Sequence, residues 1–431
     1  MSKAATVVTH IDSLDEHTKK TLPNVVLVLT GAYLPGYRAG GPVRSISNLV
    51  AALGGELQFR IVTLDRDHRA KSPYPSVVTN QWVPVGNADV MYLRPGLRGF
   101  LNTWTLLRSV DGNTVLYLNS FFSRRFSMLP VFMRWLKLCR PRSLLLAPRG
   151  EFSLGALHLK SMRKRVYIRI SRWLGLYKSV IWHASSEFEA EDIRRKIPAM
   201  NVISIAGVIP ELDASLVRHE SIVVTASDIS EPASLRPRGR SAKRPGQLRA
   251  VSVSRVARMK NLAGALRMLD DLSGDVSFDI YGPKEDVKYW NECQEVIAAL
   301  PPNIRVRYKG EIEHEMVANV LARYDLFLFP TLGENYGHVI SEALASGCPV
   351  LISDQTPWRN LEADGIGWDI PLGETERFRS VLQQCVDSDA EWFMALSKRA
   401  MDYAAKRASA PETIDANREL FQSAFAWHDA R

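Results

Sequence analysis

Residues Gly333–Asp354 read GENYGHVISEALASGCPVLISD, and this stretch decides the fold. Its end, PVLISD, is a short apolar run of the kind found in strands buried on both faces. The segment HVISEALASG before it has helical character and is rich in small residues. Glu334 and Glu342 stand eight positions apart, just over two helical turns, so both carboxylates are expected near one helix face. Gly333 and Gly337 flank the first, where backbone N–H groups at a helix start can hold a phosphate. Carboxylates accept hydrogen bonds from hydroxyl pairs such as those of a sugar or ribose. Two glutamates at this spacing are ordinarily surface residues; the adjoining strand and glycines favour a site here.

Working outward, LRAVSVSRV, VSFDIYG, IRVRYKG and DLFLFPT precede this stretch as further strands with helical segments between them. In the first half, VVLVLT (Val25–Thr30), FRIVTLD (Phe59–Asp65), VLYLNS and SLLLAPRG follow the same alternation. SISNLVAALG carries Ile46, Leu49, Val50 and Leu53 on one helical face. Such alternation predicts α/β architecture: two doubly wound, Rossmann-like parallel-sheet domains facing a cleft. Residues 1–21 read as a polar tail, 22–215 as the first domain, and 246–405 as the second. Ser, Pro and Arg dominate ASDISEPASLRPRGRSAKRPGQLR, so 216–245 reads as a linker or insertion. Residues 406–431 form a last amphipathic helix, with Ile414, Leu420, Phe421 and Phe425 on one side, expected to cross back towards the first domain.

The chain has 431 residues, enough for two such domains. No stretch of 18 apolar residues occurs and the N-terminus lacks a signal-peptide core, so a cytoplasmic location is expected. The four scattered cysteines form no C-x-x-C, which argues against a disulfide framework or a zinc site. Net charge is +9, yet Phe121–Met200 holds 17 Lys/Arg against 5 Asp/Glu, leaving the remainder of the chain at −3. FFSRRFSMLPVFMRWLKLCRPR pairs Phe121, Phe122, Phe126 and Trp135 with Arg124, Arg125, Arg134 and Lys137. SMRKRVYIRISRWLGLYK repeats the combination with Arg163, Lys164, Arg165 and Trp173. This mixture is expected to dock peripherally on an anionic membrane, at the inner face of the cell membrane.

Three further motifs fall at strand ends. In SRVARMKN, Arg255 and Lys260 sit five apart on a strand-to-helix turn, where two cations can neutralise a diphosphate without a metal. In GYRAGGPVRS, Gly40 and Gly41 permit close backbone approach before a helix, with Arg44 just beyond. LLLAPRGEFSLGAL carries Arg149. A nucleotide base is expected near Tyr281-Gly282-Pro283 and Lys309–Ile312. The pattern G-x-G-x-x-G is absent, which disfavours a dinucleotide oxidoreductase. Asp65-Arg66-Asp67 and Asp387-Ser388-Asp389 are read as solvated acids rather than metal sites, and His183 as a structural histidine.

With these motifs the sequence resembles the GT-B glycosyltransferases, specifically the retaining group called family 4 (glycosyl transferases group 1), most strongly from Ser252 to Gly373. The resemblance implies that Glu334 binds hydroxyls of the donor sugar and Glu342 the nucleotide's ribose. It places the backbone of Tyr336, Gly337 and His338 near sugar and diphosphate, and Arg255 and Lys260 at the diphosphate. Where many relatives have a histidine touching the donor sugar, this chain has Arg149. The expected reaction moves a hexosyl group from a UDP- or GDP-sugar to a hydroxyl acceptor, a lipid-linked sugar in surface polysaccharide synthesis. The resemblance also implies that the first domain binds the acceptor and the second the nucleotide sugar, and that anomeric configuration is retained; no metal or other cofactor is expected. Two alternatives stand beside it: a nucleotide-sugar epimerase on the same fold, and a basic nucleic-acid binder, for which no motif speaks.

Overall fold

The computed structural model describes residues 24–153, 155–156, 161–197, 202–210 and 243–427. The expected tail 1–21, and all but the last three residues of the expected linker 216–245, lie outside these.

The first sheet contains β1 (Val25–Leu29), β2 (Gln58–Leu64), β3 (Trp82–Val85), β4 (Ala88–Leu93), β5 (Thr114–Asn119), β6 (Ser143–Ala147), β7 (Val180–Ala184) and β8 (Ile203–Ile205). Their spatial order is β3-β4-β2-β1-β5-β6-β7-β8. All pairings are parallel except the β3–β4 edge hairpin. Side-chain alternation along the central strands explains why helices cover both faces. Leu27, Leu29, Leu116, Leu118, Leu144 and Leu146 point into one core. Val26, Val28, Val115, Tyr117 and Leu145 point into the other.

The second sheet contains β9 (Gln247–Val253), β10 (Asp275–Tyr281), β11 (Ile304–Gly310), β12 (Leu326–Phe329), β13 (Val350–Ser353) and β14 (Gly367–Ile370). It is all parallel in the order β11-β10-β9-β12-β13-β14. Helix Pro411–Ala426 leaves this domain and packs on the first sheet, where Phe421 meets Phe59 and Tyr117 edge-on at 5.9 and 5.6 Å. Buried Asn417 fastens it by donating to the Gly207 carbonyl, 2.8 Å away. Among the described residues this helix returns the chain to the first domain, and the C-terminal strand ends of the two sheets face each other.

Two sequence expectations about the basic region need correction. Phe121 and Phe126 are buried in the core, because Phe121 is ringed by Phe152, Tyr167, Tyr177 and Trp182. Arg125 is structural: its guanidinium donates to the Thr103 hydroxyl and to the Arg94 and Gly99 carbonyls, and burial lowers its pKa to about 10. The outward surface is instead helix Ser161–Trp173, where Met162, Val166, Ile170 and Trp173 are 71, 47, 48 and 83% exposed. Their spacing makes one apolar stripe, flanked by exposed Arg163, Arg165, Arg169 and Arg172. Exposed Phe132, Trp135, Leu136 and Leu138 lie at the end of helix Leu129–Trp135. Arg134 of that helix donates to the Lys178 carbonyl, 3.0 Å away.

Candidate functional site

On the second domain, the turn after β9 is stitched to the loop after β12. Leu332 N–H and the Thr331 hydroxyl both donate to the Met259 carbonyl, at 2.8 and 2.9 Å. Asn261 adopts a left-handed φ of 53° and its amide donates to the Pro330 carbonyl at 2.9 Å. These bonds bring Lys260 to Glu334, with which it forms an ion pair, its ammonium 5.3 Å from the Phe329 ring centre. Gly282, at φ 126°, closes the neighbouring strand: a Cβ there would stand 2.1 Å from the Ser254 carbonyl oxygen, so only glycine lets β10 end against Arg255.

The two glutamates do not share a helix face. Left-handed Gly337, at φ 80°, ends the loop, and the helix His338–Ala345 begins only after it. Glu334 is therefore a loop residue, its N–H bonded to the Gln355 carbonyl at 2.9 Å, while Glu342 rides the second helical turn. Tyr336 is buried, and its carbonyl accepts from the Trp358 indole at 2.5 Å, which fixes the loop from beneath. Arg255 is not a free cation either: it ion-pairs with Glu285 at 2.5 Å. Arg255 and Lys260 thus hold different carboxylates.

The first domain faces this loop closely. Gly40, at φ 68°, leads into the helix Gly41–Leu53. A Cβ on Gly41 would lie 3.4 Å from the His338 ring, in van der Waals contact, so the helix start packs directly against the opposite domain. From its first turn Arg44 crosses the cleft to ion-pair with Glu342, with a guanidinium nitrogen 2.6 Å from His314 Nδ1. Ser45 Oγ lies 3.1 Å from His338 Nε2. Burial, then the charges of Arg44 and Arg149, push the His338 pKa down to about 3, so the ring is neutral.

Arg149 stands in the turn two residues after β6, with φ 55°. Its guanidinium donates to Asn119 Oδ1 at 3.0 Å and to the Tyr117 hydroxyl at 2.7 Å. That hydroxyl therefore donates onward to His183 Nδ1, 2.7 Å away, and His183 Nε2–H donates to the Ala206 carbonyl at 2.9 Å. With both ring nitrogens engaged and its pKa near 3, His183 is structural. Gly150 N–H is held by buried Glu189 at 2.7 Å, and a Cβ on Gly150 would stand 3.1 Å from Asn335 Cβ, so the Arg149 turn sits against the Glu334 loop.

The first D-x-D is not solvated. Asp65 and Asp67 are both buried, and Asp67 accepts from the backbone N–H groups of Tyr37, Arg38 and His68 at 3.0, 3.1 and 2.7 Å. It is the anchor of the glycine-rich loop. In the second D-x-D both acids are exposed, and Asp389 caps helix Ala390–Ala408. Sequence reasoning missed Asp67, Glu189, Glu285 and His314. Only Asp67 lay in a noticed motif.

Residues 236–406 match the family model described as Glycosyl transferases group 1. A phosphatidyl-myo-inositol mannosyltransferase of Mycobacterium leprae (strain TN) is 29% identical over 86 residues, 20% of this chain and 23% of that protein. The match therefore spans under a quarter of that relative's length. Among solved structures, sucrose-phosphate synthase from Thermosynechococcus elongatus superposes with a TM-score of 0.64 at 16% identity, over 93% of this chain and 99% of that one. Anabaena Alr3699/HepE in complex with UDP-glucose gives 0.62 at 13%, covering 94 and 100%. Trehalose-6-phosphate synthase OtsA gives 0.63 at 10%, covering 95 and 100%. These likenesses show the GT-B fold over 93–95% of the chain.

Proposed function

We propose, from a Glycosyl transferases group 1 domain at residues 236–406 set in a complete GT-B fold, that this chain is a nucleotide-sugar-dependent glycosyltransferase. The observation that carries the reading is the meeting of Lys260, Glu334, Glu342, Arg44 and His338 at facing strand ends, around a loop entering a helix through left-handed Gly337. Cations and helix N–H groups there suit a diphosphate, and the two carboxylates suit sugar and ribose hydroxyls. The donor is a UDP- or GDP-hexose. Binding of UDP-glucose by the Anabaena structural relative supports the donor class.

In the reaction, Lys260 and Arg255 stabilise the departing diphosphate, and Glu334 orients the hexose. Departing phosphate oxygen helps take the acceptor proton, so the acceptor attacks on the same face and configuration is retained. No metal is required, because the lysine, the arginine and the backbone donors supply the positive charge.

The acceptor is a lipid-linked sugar in surface polysaccharide synthesis, reached while the first domain rests on the inner face of the cell membrane. Supporting this is the apolar stripe of helix Ser161–Trp173 between its arginines, a combination that fits an anionic lipid surface. Among the described residues no helix is long and apolar enough to cross a membrane, so the association is peripheral. The test is incubation of the purified chain with labelled UDP- and GDP-hexoses and a bacterial lipid extract. Label should move to the lipid fraction with the donor's anomeric configuration. Free sugar released without an acceptor would favour the epimerase instead.

A further inference from the structure

Glu285 stands at the entrance to helix Val287–Ala299, on a turn locked to the Arg255 segment. Val256 N–H donates to the Pro283 carbonyl at 2.9 Å, and Asp286 N–H donates back to Val256 at 3.1 Å. One Glu285 oxygen accepts from Arg255 at 2.5 Å. Its other oxygen forms an ion pair with Arg69, which belongs to the opposite domain, at 2.9 Å. Arg69 also donates to the Glu285 backbone carbonyl at 3.2 Å. The carboxylate is thus shared, one oxygen each, between a cation of its own domain and one from across the cleft.

Arg69 does not arrive there by chance of a long side chain. It follows the turn anchored by Asp67, and its own φ is 60°, a left-handed kink that redirects the chain. The same carboxylate of Asp67 holds Arg38, whose side chain reaches Glu311 of the second domain at 3.5 Å. One buried acid therefore aims two arginines across the cleft.

We infer that Glu285 is a counter-ion exchanged between Arg255 and Arg69, and that Arg69 is a positioning residue for the donor diphosphate. The inference rests on the glycosyltransferase reading above, in which Arg255 meets that diphosphate. A diphosphate and Glu285 compete for the same guanidinium. Arg69 resolves the competition: by taking Glu285 it cancels a negative charge beside the anion and leaves Arg255 to the ligand. Domain closure and diphosphate binding are then coupled through one carboxylate, since Arg69 reaches it only from the facing domain.

The charge logic gives a rescue test, with UDP and GDP as probes and calorimetric titration as the readout. Arg69→Gln should bind about tenfold more weakly than wild type, because Glu285 then holds Arg255 alone. Glu285→Gln should bind at least as tightly as wild type. The double variant Arg69→Gln/Glu285→Gln should recover wild-type affinity, since there is no longer a carboxylate to neutralise. Arg255→Gln should stay weak with or without Glu285. A double variant as weak as Arg69→Gln, in chains that melt like wild type, overturns the inference alone. Wild-type protein that binds neither nucleotide removes the donor reading and this inference with it.

Discussion

Arg44 and Glu342 are 298 positions apart in the chain and form an ion pair across the cleft. Both side chains are about one-fifth exposed, so the pair is shielded from solvent more than a surface bridge. His314 Nδ1 lies 3.6 Å from the same Glu342 oxygen. In the proposed reading a donor's ribose would address the carboxylate that Arg44 holds. Replacing Glu342 by Gln should raise the donor KM by roughly 10- to 100-fold, the loss of charged hydrogen bonds, with a smaller change in kcat. Donor saturation curves check this; an unchanged KM would remove Glu342 from the ribose site.

Lys260 and Arg255 carry the electrostatic load of the proposed chemistry. Alanine at either should cut turnover by about 10²–10³-fold, the usual effect of removing one stabilising donor from a developing anion. Arg255 is 37% exposed, so its variant should melt near wild type; Lys260 is 13% exposed and paired with Glu334, so its variant should lose some stability as well. Near-normal turnover in a folded double variant would contradict the assignment.

In the proposed reaction the same two cations meet the diphosphate charge without a metal. Activity should survive EDTA at millimolar excess. Complete loss on chelation, restored by Mn²⁺ or Mg²⁺, would mean that the diphosphate charge is met in another way.

Stability should fall in mild acid. Burial is the leading cause that holds His183 and His338 near pKa 3, against 6.5 for a free histidine. A depressed histidine stabilises the fold fully above 6.5, and that contribution is lost as pH falls towards 3. At pH 5 the loss is on the order of 2 kcal/mol per ring. The buried Glu151 carboxyl, raised by desolvation, works in the opposite direction. Urea melts at pH 7.5 and pH 5 should show the drop, and His338→Gln should remove part of it. Equal midpoints at both pH values would contradict the neutral, buried assignment.

For the membrane surface, wild-type protein should sediment with anionic vesicles at low salt and leave them at high salt, as exposed charges are screened. Replacing Arg163, Arg165, Arg169 and Arg172 with Gln, or Trp173 with Ser, should release it while donor binding is unchanged. Wild type that stays in the supernatant at low salt would make a soluble acceptor the better reading.

The central strands were legible because a strand buried on both faces must be an uninterrupted apolar run, as in VVLVL and LFLF. The β3 edge was not: WVPV contains Pro84 and is half exposed, so it lacks that signature. Glu334, Lys260 and the glycines could be named from strand ends alone. Their partners could not, because Arg44 with Glu342 and Arg69 with Glu285 are joined only by domain packing. Composition also could not separate Phe121, which fills the core, from Trp173, which faces solvent; both stand beside arginines in the sequence. Asp67 was discounted because a three-residue pattern says nothing about burial.

The most direct measurement of the central claim is a thermal-shift screen of UDP-, GDP- and ADP-sugars against wild type and a Glu334→Gln/Glu342→Gln variant. At about 100 times its Kd, the true donor should add roughly 2.7 kcal/mol of stability to wild type, and far less to the variant. A wild-type protein indifferent to every nucleotide sugar, or a variant stabilised as much as wild type, would contradict the account.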